Sequence, residues 1–357
     1  MTDLHARIDL LEGELAAPLG GAAAGLARRN FAVLTLMRGD GTAGLGEASP
    51  LPGFSPDTLE AALEELEQLT RDPVLADPLG TPFEVVSAVF SAHPVRCPSS
   101  RFALEGALLD WLGQARGEPL HRVLAGDAER RPIAIADLVL APDVSDWARF
   151  VDTLVAEGST HVKMKVGVDL EREVAAIAEV RRNHPALRLR LDGNQRVPLA
   201  ALRRHSPALE ALELELIEEP VQPSEWKRVL DLPLPYALDE TLLDAELSTR
   251  LLETGHVRAV VLKPMLLGGL RSSFDIAERA AACGADYLVS HAFDGPIARA
   301  ATAELALALQ TPLAAGLGWH PGLDLWTPHQ TAAIRGRSIV PHDEPGLGLH
   351  FEEENDA

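Results

Sequence analysis

His161-Val-Lys-Met-Lys-Val-Gly167 is the first of five short apolar runs that each end on a charged side chain. Leu189-Arg-Leu-Asp-Gly-Asn194, Leu216-Ile-Glu-Glu-Pro220, Ala237-Leu-Asp-Glu240 and Val260-Val-Leu-Lys-Pro264 follow it. The charges that matter, Lys165, Asp192, Glu218, Asp239 and Lys263, stand 21 to 27 residues apart. That interval is the length of one strand plus one helix. In a closed barrel of parallel strands the C-terminal strand ends share one rim, so residues distant in sequence converge there. Buried charges are costly unless paired or bound to a metal. Three carboxylates and two lysines on one rim therefore describe a divalent-metal site with two candidate bases.

Working outward, further strands are read at about 133–140, 286–291 and 313–317, with helical stretches such as 170–182 and 296–309 between strands. Eight strands with parallel-type connections fit a closed (β/α) barrel, an α/β fold, better than an open sheet. Residues 1–125 read differently. Phe31–Met37 is a strand, Arg38-Gly-Asp-Gly41 a hairpin turn, and Gly44–Gly53 an extended loop. Pro56–Thr70 carries leucines at helical spacing, and Ser100 opens a helix with Leu104, Ala107, Leu108 and Trp111 on one face. This is an α+β module. The barrel is expected over 126–320, and a Pro-, Gly- and Trp-rich tail, 321–357, is expected to return to the first module.

The 357 residues are 46% apolar and 24% charged, ordinary for a soluble enzyme, and only 4% aromatic, so the core must be aliphatic. Against 53 acidic side chains stand 32 basic ones, a net charge of −21. That balance argues against nucleic-acid or anionic-membrane partners. Recognition of an anionic substrate must then be local. Cys97 and Cys283 lack metal-ligand spacing and read as free thiols of a reducing cytosol. There is no secretory pattern at the N-terminus and no apolar run approaching the ~20 residues of a membrane span. A cytoplasmic location is expected, and the oligomeric state is open.

Lys163 and Lys165 are two apart and share one strand face. Crowded cations lower each other's pKa, which helps one of them act as a neutral base. Asp192, Glu218 and Asp239 supply hard oxygen donors with no His or Cys beside them, a set that suits Mg²⁺. Solvated lysines, helix N-caps or loop acids would explain any one of these residues, but explain the set poorly. Asn194 and Glu240 are candidates for contacts behind the metal or to substrate. Lys263 would face Lys165 across the barrel, so that the pair flanks a substrate carboxylate. Deprotonating a weak C–H acid beside a carboxylate needs a base on one side and stabilisation of the enediolate oxygens on the other. Gly268-Gly269 reads as a plain turn. In Ser290-His-Ala-Phe-Asp-Gly295, Ser290 is a candidate substrate contact and His291 reads as a packing residue. Gly316-Leu-Gly318 would let backbone N–H groups approach a carboxylate. Arg28 and Arg29 read as solvated loop residues.

These strand-end residues resemble those of the enolase superfamily, in its muconate-lactonizing subgroup, whose sites pair a Lys or His base with Mg²⁺. The resemblance spans nearly the whole chain. Within it, Gly46-Glu-Ala-Ser-Pro-Leu-Pro-Gly-Phe-Ser55, Pro98–Ala103 and Val257–Pro264 are most similar to the o-succinylbenzoate synthase family. The resemblance implies a modified TIM barrel of (β/α)7β type under an N-terminal α+β capping domain completed by the C-terminal tail. It implies Lys165 as the base and Asp192, Glu218 and Asp239 as ligands of Mg²⁺, for which Mn²⁺ is a substitute. Lys263 would stabilise the enediolate, and Lys163 would hold the carboxylate and tune Lys165. The implied reaction is syn-dehydration of 2-succinyl-6-hydroxy-2,4-cyclohexadiene-1-carboxylate to 2-succinylbenzoate in menaquinone biosynthesis. The same lysines would serve N-succinylamino acid racemisation or dipeptide epimerisation, and a non-catalytic metal-binding scaffold is the distant alternative. Two departures stand out. Asp192-Gly-Asn replaces the more usual Asp-Ala-Asn, and 290–295 lacks the Asp-x-Asp with which dipeptide epimerases hold an ammonium group.

Overall fold

The computed structural model describes residues 1–17, 25–318, 320–323 and 330–350. Most of the Ala/Gly-rich loop at 18–30 and parts of the tail lie outside the described residues.

The first module is a four-stranded antiparallel sheet with helices on one side. β1 (Thr2–Glu14) pairs with β2 (Arg28–Met37) from Glu14↔Arg28 to His5↔Met37, and β2 pairs with β3 (Ala43–Ala48). The stretch expected as an extended loop from Gly44 is thus partly strand. α1 (Leu59–Gln68) follows, capped by Thr58; β4 (Val74–Ala76) adds to the free edge of β1. After α2 (Pro82–Ala92) comes α3 (Pro98–Arg116), which starts with Pro98 and stops at the left-handed Gly117. β3 lies directly on α3: a Cβ on Gly46 would fall 1.8 Å from the Ala103 carbonyl oxygen. Glycine is what allows the strand to approach the helix backbone so closely.

After α4 (Leu120–Ala125), β5 (Ile133–Ala134) and β6 (Asp137–Leu138) replace the single strand expected at 133–140. A parallel seven-stranded sheet then curls through β6, β7 (His161–Lys165), β8 (Arg188–Asp192), β9 (Leu216–Glu218), β10 (Tyr236–Leu238), β11 (Val257–Leu262) and β12 (Asp286–Val289). α5 (Trp147–Ala156), α6 (Leu170–Asn183), α7 (Leu199–Glu210) and α8 (Ala245–Leu252) cover it, with a 3-10 segment at Pro223–Arg228 between β9 and β10. The short α9 (Pro264–Leu267), α10 (Leu270–Ala282) and α11 (Pro296–Leu309) complete the ring. The eighth strand expected at 313–317 is reduced to two bridges, Ala315 to Ile135 and Gly316 to Ser290, which close the barrel. Ala136 donates to the Ala315 oxygen and Gly316 to the Val289 oxygen, each at 2.8 Å. Pro312 lacks an N–H and glycines 316 and 318 have low strand propensity, so no longer ladder forms.

The tail laces these parts together through β13 (Gln330–Thr331), β14 (Ile334–Arg335), β15 (Ser338–Ile339) and β16 (Leu349–His350). β15 pairs with β5, Leu120 donates to the Gly346 carbonyl, and Leu347 donates to Asp110 of α3. No helix among the described residues is long and apolar enough to cross a membrane.

Candidate active site

Register places the charges side by side. Lys165 is opposite Asp192 on β7 and β8, and Asp192 is opposite Glu218 on β9. Asp239 follows β10 and Lys263 follows β11, on the same rim. Asp192, Glu218, Asp239 and Lys263 are all buried. Two lysines neutralise the acids. Lys163 Nζ lies 3.0 Å from Asp192 and 3.1 Å from Glu218, and Lys263 is bonded to Asp239.

The protonation energetics follow from that sharing. Burial opposes the charge on Lys163, but Asp192, Glu218 and Asp239 outweigh it and hold its pKa above the ordinary lysine value. Lys263 is held up in the same way, chiefly by Asp239. Asp192 stays ionised because three lysines outweigh its burial. Glu218, pushed to about 7, and Asp239, pushed to about 6, are raised mainly by burial, with neighbouring acids adding to it. Lys165 behaves oppositely. Burial lowers its pKa most; the charge of Asp192 opposes this, and Lys163 and Lys263 lower it further. Its Nζ donates at 3.1 Å to Asn194 Oδ1, while Asn194 Nδ2 donates to Glu240. The expected mutual lowering of the lysine pKa values therefore holds for Lys165 but not for Lys163, which shares its charge with acids.

Local backbone explains the motifs. Gly193 is required: a Cβ there would fall 2.6 Å from Pro220 Cα, so alanine would force β8 and β9 apart. Asn194, Gln195 and Glu219 all have positive φ, 41°, 61° and 38°, a conformation non-glycine residues seldom adopt. Glu219, the second acid of Glu-Glu-Pro, accepts N–H bonds from Asp239 and Thr241 and the Thr241 hydroxyl. It shapes the turn that presents Asp239. The sequence reading gave it no role, although its place in the motif was a signal.

Above the charges lies a cavity of about 330 Å³ with largely apolar walls. Lys163, Lys165, Asp192, Asn194, Glu218, Lys263, Ser290 and Gly316 all line it. Leu51 and Phe54 of the first module, and Phe150, Ala292 and Phe293 of the barrel, supply apolar surface. Ser290 Oγ donates to the Gly316 carbonyl at 3.2 Å. His291 is neutral, its pKa pushed by burial to about 3, with Nε2 3.2 Å from the Gly318 oxygen. Asp294 does not line the cavity. It is fully buried near Arg29, and Arg29 is a buried strand residue rather than a solvated loop one. Gly268 and Gly269 form the turn between α9 and α10, with φ of 80° and 128°. Cys97 and Cys283 are free.

The donor set fits a hard divalent cation: three buried carboxylates, two of them raised in pKa by burial and mutual repulsion, with oxygen donors only. A second cluster is of another kind. Among the described residues, His121, Glu304 and His342 bring ligand atoms within 4.8 Å of one another. Their contacts are hydrogen bonds, His121 Nδ1 to Glu304 at 2.9 Å and His342 Nε2 to Glu304 at 2.6 Å, with the His121 N–H also donating to Glu304. They join α4, α11 and the tail.

A curled barrel of parallel strands with acids and lysines on its C-terminal rim, beside a separate α+β module, defines the architectural class. The family model for the enolase C-terminal-like domain matches residues 146–355, and the chain belongs to the enolase superfamily. It is 30% identical over 309 residues to the o-succinylbenzoate synthase of Desulfotalea psychrophila, covering 78% of this chain and 83% of the relative. Identity to the N-succinylamino acid racemase of Thermus thermophilus is 29% over 290 residues, covering 79% and 76%. The dipeptide epimerase of Methylococcus capsulatus, solved with Mg and the dipeptide L-Arg-D-Lys, has the same fold, with a TM-score of 0.84 at 23% identity over 98% of this chain and 100% of that one. The protein is thus an enolase-superfamily enzyme, and its relatives divide between o-succinylbenzoate synthases, an N-succinylamino acid racemase and dipeptide epimerases.

Proposed function

We propose that the enzyme is an o-succinylbenzoate synthase that removes the α-proton of 2-succinyl-6-hydroxy-2,4-cyclohexadiene-1-carboxylate and expels its hydroxyl as water in a syn-elimination. The observation that carries this reading is the asymmetry of the two lysines in an apolar cavity. Lys165 has a lowered pKa and, among the described residues, is hydrogen-bonded to Asn194 rather than to a carboxylate, whereas Lys263 stays charged on Asp239. Lys165 Nζ takes the α-proton, and the electron pair moves into the carboxylate as an enediolate. Lys263 and Lys163 place positive charge beside the enediolate oxygens. Collapse of the enediolate breaks the C–O bond to the hydroxyl, which leaves as water with a proton returned to it, and the ring becomes aromatic. Asp192, Glu218 and Asp239 would hold Mg²⁺, which when bound supplies Lewis-acid stabilisation of the developing negative charge. The substrate is a small carboxylate, the product belongs to menaquinone biosynthesis, and the location is cytoplasmic.

The similarity to a racemase supports a second reading, in which Lys165 and Lys263 each exchange a proton on one face of an N-succinylamino acid. Dipeptide epimerisation has less support. Outside Asp192 and Glu218, the acid lining the cavity among the described residues is Asp137, which is paired with Arg337. The deciding experiment follows loss of diene absorbance with the cyclohexadiene substrate and Mg²⁺, beside an EDTA control. Fast, EDTA-sensitive formation of 2-succinylbenzoate is expected. Absence of turnover, together with deuterium exchange at Cα of N-succinylamino acids, would move the assignment to a racemase.

A further inference from the structure

We infer that Arg29 is a positioning residue that fastens together the two loops walling the cavity and so sets how tightly substrate is held. The statement about substrate rests on the reaction proposed above; the statement about the loops does not. Arg29 is 2% exposed. Its Nη1 donates to the Pro50 carbonyl at 2.7 Å and its Nη2 to the Ser49 carbonyl at 2.6 Å. Nε and Nη2 both donate to the Phe293 carbonyl, at 3.2 and 3.1 Å. Ser49 and Pro50 open the loop that carries Leu51 and Phe54 over the cavity, and Phe293 lies in the loop after β12 that forms the opposite wall. One guanidinium therefore joins a wall from the first module to a wall from the barrel.

The arrangement is one of geometry rather than of charge pairing. Burying a guanidinium is costly, and burial lowers the pKa of Arg29, with Asp294 and Glu47 partly offsetting it. Neither acid is hydrogen-bonded to it. Glu47 is occupied by the Gly295, Ile297 and Ala298 N–H groups at the start of α11 and by the Ser49 hydroxyl. Asp294 accepts one N–H, from Ala292, and its other oxygen has no hydrogen-bond partner. All five guanidinium hydrogens point from a rigid planar fork, so three carbonyls can be held at fixed angles, which an ammonium cannot do. Phe293 sits at φ +56°, a strained conformation for a phenylalanine, with its carbonyl held by that fork. Arg29 has no hydrogen bond to the lysines or carboxylates below. Its influence passes through wall side chains such as Phe54, whose ring lies 5.2 Å from Lys263 Nζ.

The test compares Arg29→Met and Arg29→Lys with the wild type in two readouts, steady-state kinetics and backbone amide hydrogen exchange. For Arg29→Met, KM is expected to rise on the order of tenfold while kcat changes by less than about threefold, because the walls bind and the floor reacts. Arg29→Lys should recover part of that loss. Amides of 51–55 and 292–295 should exchange faster, while β7, β8 and β9 keep their protection. A fall in kcat at constant KM, or unchanged exchange in both loops, would overturn the inference. If the wild type turned over neither the cyclohexadiene nor N-succinylamino acids, the functional reading would fall and the exchange readout would still decide the role of Arg29. Should Arg29→Met not fold, Arg29→Lys carries both readouts.

Discussion

Lys165 and Lys263 carry the same ammonium group in different surroundings, and two predictions follow from that contrast. A base must be neutral to accept a proton, so kcat/KM should rise with pH through the pKa of Lys165, with a midpoint below the ~10.4 of free lysine. Lys163 is one of the charges that lower Lys165, so Lys163→Met should move that acidic limb to higher pH, which a pH–rate profile measures. Lys263→Arg keeps a cation on Asp239 but removes the ammonium that would have to exchange a proton with substrate in a racemisation. Any racemisation, followed by deuterium at Cα, should vanish while some elimination persists; equal loss of both would reassign Lys263. At this scale the sequence was informative wherever a charge ended an apolar run. It was uninformative for Arg29, whose partners are backbone carbonyls 20, 21 and 264 residues away and leave no side-chain pattern.

Turns and elements hold these side chains in place, and their contribution is separable. Glu219 organises the turn before Thr241 without lining the cavity, so Glu219→Gln would set an amide against N–H groups that now meet a carboxylate. Mg²⁺ affinity, read by calorimetry, should fall by about 10- to 100-fold, the usual cost of losing a group that orients a metal ligand. On the far side of the barrel, His342→Ala would leave one oxygen of the buried Glu304 without its histidine. A loss of roughly 2–3 kcal/mol in urea unfolding is expected, with faster proteolysis of the tail. Element boundaries were legible where periodicity was strong, as in α6 and α11. β1 was not, because only Leu4 among its thirteen residues is fully buried, so the strand shows little of the alternation that marks a half-buried one. The eighth strand was anticipated as an element, but two bridges suffice to close a barrel whose other strands are already in register.

For the whole molecule, the buried carboxyls set a pH dependence. Glu105, Asp294 and Glu218 are pushed by burial to about 7, and Asp110 and Asp239 to about 6. A carboxyl with a raised folded-state pKa favours the fold while protonated, and that stability is lost as pH rises through the folded value. Glu47, Glu219 and Glu240 are raised by burial as well, so the carboxyls outnumber His161 and His291, which are lowered by burial and act in the opposite sense below about 6.5. In EDTA, melting temperature should therefore decline between about pH 5 and 7.5. Metal binding requires ionised carboxylates, so the increment given by Mg²⁺ should be larger at pH 8 than at pH 5.5. Calorimetric scans at the two pH values, with and without the ion, measure both effects. The net charge of −21 was readable from composition, but this balance was not, since it depends on which acids the fold buries.

The cavity has a floor from one module and part of its wall from another, tied together by Arg29 on three carbonyls and by Glu47 on the start of α11. Inherited change can thus act on the two separately. Substitutions at Leu51 would reshape the wall of the cavity from the first module, while the lysines and carboxylates of the floor are held by the barrel strands.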